Sequence, residues 1–173
     1  MQPIRFDIAL FSQFPDQVRT DAERARSQRA LLFLLDALSA VNVTFLKASP
    51  DTPSIYTPRM VRYVAEPETE NWRDIPTIFA KGNGDCEDLA SARVAELRQS
   101  GIRSRPWVSW RKAQNGKYIY HARTWRESIG ANMPPIRDVR GYMTTVEAPP
   151  GIGGYIEDPS IVLGMYGPTE ITG

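Results

Sequence analysis

Between Gly82 and Gly101 the sequence marks both ends of one helix, and the rest of the chain has to fold around it. Gly82-Asn83-Gly84 is a flexible turn and Asp85 a good N-cap. Asp88 stands three residues further on, at capping-box spacing, with Asp in place of Glu or Gln. Acidic residues in a first turn also suit the positive end of the helix dipole. Leu89, Ala90, Val94 and Leu97 carry the helix on, and Gly101 stops it. Cys86 is then the first helical residue. It shares a face with Ala90, Val94 and Leu97, so its thiol heads the stripe that packs inward.

Two strands are expected next. Arg105 to Arg111 and Lys117 to Trp125 flank Gln114-Asn115-Gly116, and Asn-Gly is a strong hairpin signal. Alternation puts Ile119, His121, Arg123 and Trp125 on one face of the second strand, with Tyr118, Tyr120 and Ala122 on the other. Residues 127–154 are rich in Gly and Pro, with a short strand expected near Tyr142 to Val146. A last strand, Tyr155 to Asp158, ends at Pro159.

Upstream, residues 4–11 alternate partly and read as an edge strand. From Asp16 to Ala40 the residues are helix formers, with a charged first half and a second half whose Leu31, Leu32, Leu34, Leu35 and Leu38 read as core. Residues 47–76 are punctuated by Pro50, Pro53, Pro58, Pro67 and Pro76. They read as an irregular connection with one helical turn around Arg59 to Val64. Within it Tyr56, Tyr63 and Trp72 are large enough to cover a groove, with core packing as their first duty.

Composition bounds the function. A chain of 173 residues with 42% hydrophobic and 24% charged residues is globular rather than disordered, collagen-like or coiled-coil. Twenty-one basic against 20 acidic residues leave a net charge of +1, without the footprint of a nucleic-acid or membrane binder. One Cys excludes an internal disulfide and a thiolate metal cluster, and one His excludes a multi-histidine metal site. The expectation is therefore no metal and no cofactor. The N-terminus lacks a basic region followed by an apolar core, and the apolar run Ala30 to Leu35 is stopped by Asp36, short of the ~20 residues that span a bilayer. A soluble protein is expected, cytoplasmic (in the host cell if phage-encoded) or packaged into a virion.

The two singletons carry the chemistry. A cysteine nucleophile needs its thiolate, favoured by a helix N-terminus and a neighbouring imidazolium. Cys86 has the first, and His121 supplies the second if its strand crosses the helix start. A third group must accept the other imidazole N–H, and Asp158, ending the strand expected beside that of His121, suits this role. Each has a structural explanation too. A lone Cys is a small buried hydrophobe, a lone His a satisfied core residue, and Asp158 before Pro159 a turn residue. Asp85, Glu87 and Asp88 together suggest a hard-cation site, but capping and solvation explain them better.

At these residues a family resemblance enters. Gly84-Asp85-Cys86-Glu87-Asp88-Leu89-Ala90, with Ala95-Glu96-Leu97-Arg98 and Gly101-Ile102, resembles the nucleophile helix of the transglutaminase-like superfamily. Tyr120-His121-Ala122 is similar to its His strand, and Ile156-Glu157-Asp158-Pro159-Ser160 to its Asp-Pro-Ser strand end. With Tyr63-Val64-Ala65-Glu66-Pro67 and Trp72-Arg73-Asp74-Ile75-Pro76, the motifs resemble a transglutaminase-like group of tailed phages and prophages. The resemblance covers residues 72–165. It implies a papain-like α+β fold in which the Cys helix packs on an antiparallel sheet carrying His and Asp.

The implied organisation is a single domain over 1–173: an N-terminal strand and long helix over 1–50, a catalytic core over 72–165, and an insertion at 127–154 placed to act as a lid. The implied chemistry is cysteine-dependent acyl transfer on amide bonds by Cys86, His121 and Asp158, on a protein or peptide substrate such as a phage structural protein. Trp72 is the expected second oxyanion donor, and Asp85 lies on the oxyanion and substrate side. The competing expectation is an assembly protein of a phage particle that keeps the fold as a scaffold without turnover. Two departures stand out. Arg123 occupies a position where the superfamily usually has Trp, and the long His-to-Asp separation leaves Asp138 as a second choice for the third group.

Overall fold

The computed structural model describes residues 18–65, 71–128 and 145–164. The first helix, α1, spans Asp21–Ala48. It starts at a complete capping box between Thr20 and Glu23 rather than at Asp16, and it runs beyond Ala40. The extension was hidden because its buried stripe, Leu31, Leu35, Ser39, Asn42 and Leu46, turns polar in the middle. Ser39 satisfies itself on the Leu35 carbonyl at 2.7 Å, and Asn42 Oδ1 accepts the Ile75 N–H at 2.8 Å. Leu32, Leu34 and Leu38, expected in the core, are only partly buried. By length and composition alone α1 is apolar enough to cross a membrane, contrary to the sequence expectation. In this fold its stripe packs on the helix that carries Cys86.

The irregular connection is more ordered than its prolines suggest. In place of a helical turn, Arg62–Tyr63 form β1, paired in parallel with Asn83–Gly84, which are β2 rather than a free turn. Arg59 in the left-handed region breaks the chain just before them. A helix missing from the sequence reading, α2 (Ile75–Lys81), lies between. Asp74 caps it through the Thr77 N–H and Pro76 sits in its first turn, where a missing N–H costs nothing.

The helix α3 (Cys86–Gln99) is as expected, with Asp85 and Asp88 forming the capping box. Its interior face is built of small residues, Ala90, Ser91, Ala92 and Ala95, all fully buried, which let neighbours approach closely. Leu46, Ile75 and Ile78 pack on one side, Leu31, Leu35, Val108 and Ala122 on the other. The hairpin strands β3 (Ser104–Lys112) and β4 (Tyr118–Arg126) pair antiparallel with His121 opposite Ser109. Short strands β5 (Thr145–Glu147) and β6 (Tyr155–Glu157) complete an antiparallel sheet in the order β3-β4-β6-β5. A single turn, α4 (Pro159–Val162), follows. The fold is thus mixed helix and antiparallel sheet, with α3 against β4 and Thr124 Oγ1 donating to the Ala90 carbonyl. Segment 4–11, Asp138, and residues 142–144 of the strand expected near Tyr142 lie outside the described residues.

A buried charge network locks the end of β6. Glu157 accepts from Arg93 Nε at 2.6 Å and from the Tyr56 hydroxyl, and lies 3.4 Å from Arg126 Nε. Arg93 also pairs with Glu96, whose other oxygen accepts the Ile55 N–H. One cluster therefore joins the connection after α1, the middle of α3 and the residue preceding Asp158.

Candidate active site

Cys86 sits at the first turn of α3 because Gly84 lets β2 run directly onto that turn. A Cβ at Gly84 would meet Asp88 Cβ at 3.0 Å. Asp85 is buried and spends its carboxylate on the cap, accepting from the Asp88 N–H. Asp88 returns the bond to the Asp85 N–H and also accepts the Arg73 N–H at 2.6 Å, with the Arg73 guanidinium 3.5 Å away. Burial, and then the charge of Asp85, raise the Asp88 carboxyl above its usual range, with Arg73 opposing. These bonds fix the strip 71–74 against the helix start. Trp72 packs there with Cys86, Trp110 and Tyr120 over the Leu31, Ala90 and Ala122 cluster.

The thiol itself is partly buried and donates to Glu87 Oε2 at 2.8 Å. The other Glu87 oxygen accepts the Tyr120 hydroxyl at 2.6 Å. Burial first, and the Glu87 charge second, push the thiol well above its ordinary range, while the Ala122 backbone N–H pulls the other way. The sequence expectation of a lowered thiol from the helix start is thus outweighed in this arrangement. In the sequence Glu87 reads as a capping or solvated acid and Tyr120 as a neighbour of His121, with neither assigned a bond to the thiol's surroundings. Their signal was positional: one follows the cysteine, and the other alternates with Ala122 toward the helix.

His121 Nε2 lies 2.9 Å from Asp158 Oδ2, across a separation of 37 residues. The carboxylate fixes the tautomer with the proton on Nε2, so Nδ1 carries the lone pair. Arg123, the departure from the family pattern, places its Nε on that same Oδ2 at 2.9 Å. Tyr63 lies where the two halves converge. Burial raises its phenol first, and then the charges of Cys86, Asp85, Glu87 and Asp158 all push it further up. The Ala122 N–H that meets the sulfur is next along the chain from His121. Among the described residues the thiol's side-chain hydrogen bond goes to Glu87 rather than to His121. No group of acidic, His or Cys residues among the described residues is arranged to hold a metal ion.

A thiol at a helix start, an imidazole oriented by a carboxylate, and a backbone N–H beside the sulfur can together support nucleophilic attack on a carbonyl. Residues 54–133 match the family model of the transglutaminase-like superfamily, a stretch that takes in Cys86 and His121 and ends before Asp158. No curated protein and no solved structure matches the chain.

Proposed function

We propose that this chain carries out cysteine-dependent acyl transfer on amide bonds of a protein or peptide. The observation that carries the reading is the His121–Asp158 pair at 2.9 Å, with the Ala122 N–H next to His121 meeting the chain's single cysteine at a helix start. In this mechanism His121 Nδ1 takes the Cys86 proton as sulfur attacks the carbonyl. The C–N bond then breaks as His121 returns the proton to the leaving amine. Water or a second amine releases the thioester, giving hydrolysis or cross-linking respectively. The Cys86 N–H holds the oxyanion, with Trp72 as its partner donor. Asp85 acts through the cap that keeps this N–H in place.

Because burial and Glu87 disfavour a free thiolate, the proton leaves only as attack begins, which makes the base indispensable. The competing reading, a phage-particle scaffold without turnover, draws on that same feature, a thiol held by Glu87. Iodoacetamide labelling followed by intact mass separates the two, since one Cys reports one adduct. The rate at neutral pH is expected to fall about tenfold or more in His121→Ala, the range of general-base assistance. A folded protein whose labelling ignores His121, or proceeds only on unfolding, makes the cysteine structural and favours the scaffold.

A further inference from the structure

The face of β3 and β4 turned away from α3 carries a strip of which the mechanism uses only His121. Along β4 it runs from His121 through Arg123 to Trp125, and opposite them on β3 stand Ser109, Trp107 and Arg105. The Arg105 guanidinium lies over both indoles, 5.9 Å from the Trp107 ring centroid and 5.0 Å from that of Trp125. At the far end, beside the C-terminus of α3, a groove of about 710 Å³ opens between Arg103, Arg105, Trp125 and Ile152.

Part of the charge on this strip is not neutralised from within. Among the described residues the guanidinium groups of Arg103 and Arg105 form no ion pair, although the Arg103 backbone N–H donates to Glu127 at 2.9 Å, whereas Arg98 on the groove wall is matched by Asp36 at 2.7 Å. Arg123 uses its Nε on Asp158 and keeps its side chain 34% exposed. Guanidinium forks bind carboxylates through two parallel hydrogen bonds, and the indoles give the rest of a chain an apolar floor. Nucleic acid fits less well, because Arg105 already covers the ring faces on which bases would stack.

We propose that this strip binds an acidic peptide segment next to the reacting amide, with Arg123 nearest the site and Arg105 and Arg103 at the distal end. His121 to Trp125 spans about 14 Å at ~3.4 Å per strand residue. An extended peptide covers that in about four residues, which is where its carboxylates are needed. The proposal takes from the acyl-transfer reading only the position of the amide at Cys86, and binding itself needs no turnover.

The test uses the full chain carrying Cys86→Ala, with fluorescence anisotropy of a labelled Glu-rich peptide against a Gln-rich peptide of equal length. The Glu peptide is expected to bind, to weaken with added salt, and to lose about tenfold in affinity with Arg105→Glu or Arg103→Glu, each removing one charge-assisted pair. Arg105→Lys retains the charge and most of the binding. Equal binding of the two peptides, or indifference to both charge reversals, overturns the proposal. An oligothymidylate that binds more tightly than the Glu peptide overturns it in favour of nucleic acid. Should the acidic peptide bind while wild-type protein never forms an acyl adduct, the strip stands and the acyl-transfer reading falls.

Discussion

At the end of β6 two consecutive carboxylates serve two regions of the molecule. Glu157 is wholly buried and surrounded by Arg93, Arg126 and Tyr56, so its charge is matched from several elements at once. Each carboxylate takes its hydrogen bonds on one oxygen, leaving Glu157 Oε2 and Asp158 Oδ1 without a hydrogen-bond partner among the described residues, but Asp158 meets His121 and Arg123, whose side chains are 18% and 34% exposed. The first region spends its charge on holding three elements together. The second engages side chains that reach a partly open surface. Where the partners are enclosed with the carboxylate, the pairing stabilises position; where they reach the surface, they remain available for chemistry.

The sharpest way to break this contrast is at Glu157. Glu157→Ala leaves the buried Arg126 guanidinium uncompensated and Arg93 with Glu96 alone, and removing one partner of a buried pair costs about 3–5 kcal/mol. For a chain of this size that is a fall of roughly 6–20 °C in Tm, checked by thermal unfolding. Asp158→Asn is the counterpart. Water can reach Arg123 and His121, so Tm is expected to stay within a few degrees while labelling of Cys86 at neutral pH slows markedly. Equal stability losses in the two variants would erase the distinction between the regions.

The next effect in size belongs to the thiol. Burial and Glu87 raise the Cys86 thiol, so wild-type labelling should climb only at alkaline pH. Glu87→Gln removes the like charge that opposes thiolate, and the labelling midpoint is expected to move down by about one pH unit, on the order of 1.4 kcal/mol. A midpoint that stays put would make burial alone responsible. One that moves up would mean that Glu87 assists the thiol rather than restraining it.

Elements with purely local signals were legible in the sequence. The α3 boundaries, its capping box, the Asn115-Gly116 hairpin and the faces of β4 all emerged from spacing and turn chemistry. What failed were elements defined by distant partners. Asn42 extends α1 because it accepts the Ile75 N–H, and a buried Asn inside a helix carries no apolar period to detect. The β1–β2 pair is two residues long and exists because residues 62 and 83 meet in space. At the site, the Cys86 helix start was marked by the chain, whereas Glu87, Tyr120 and Arg123 acquire meaning only through side chains brought in from elsewhere.

Asp85 sharpens the contrast most finely, because it borders the thiol yet is bonded like an interior residue. Its carboxylate accepts the Asp88 N–H while the Asp88 carboxylate accepts the Asp85 N–H, a reciprocal local pair. Asp85→Ala is expected to cost about 1 kcal/mol, the usual loss for a helix cap, and roughly 2–4 °C in Tm. Asp85→Asn is the discriminating change, since Asn caps as well as Asp while carrying no charge. If Asp85 acts through the cap, the Asn variant recovers both Tm and the neutral-pH labelling rate of Cys86. If its negative charge is felt at the sulfur, Tm recovers but labelling accelerates, because one of the charges that raise the thiol has gone. The second outcome would move Asp85 from the enclosed region to the reactive one, and would place the border between them inside the capping box itself.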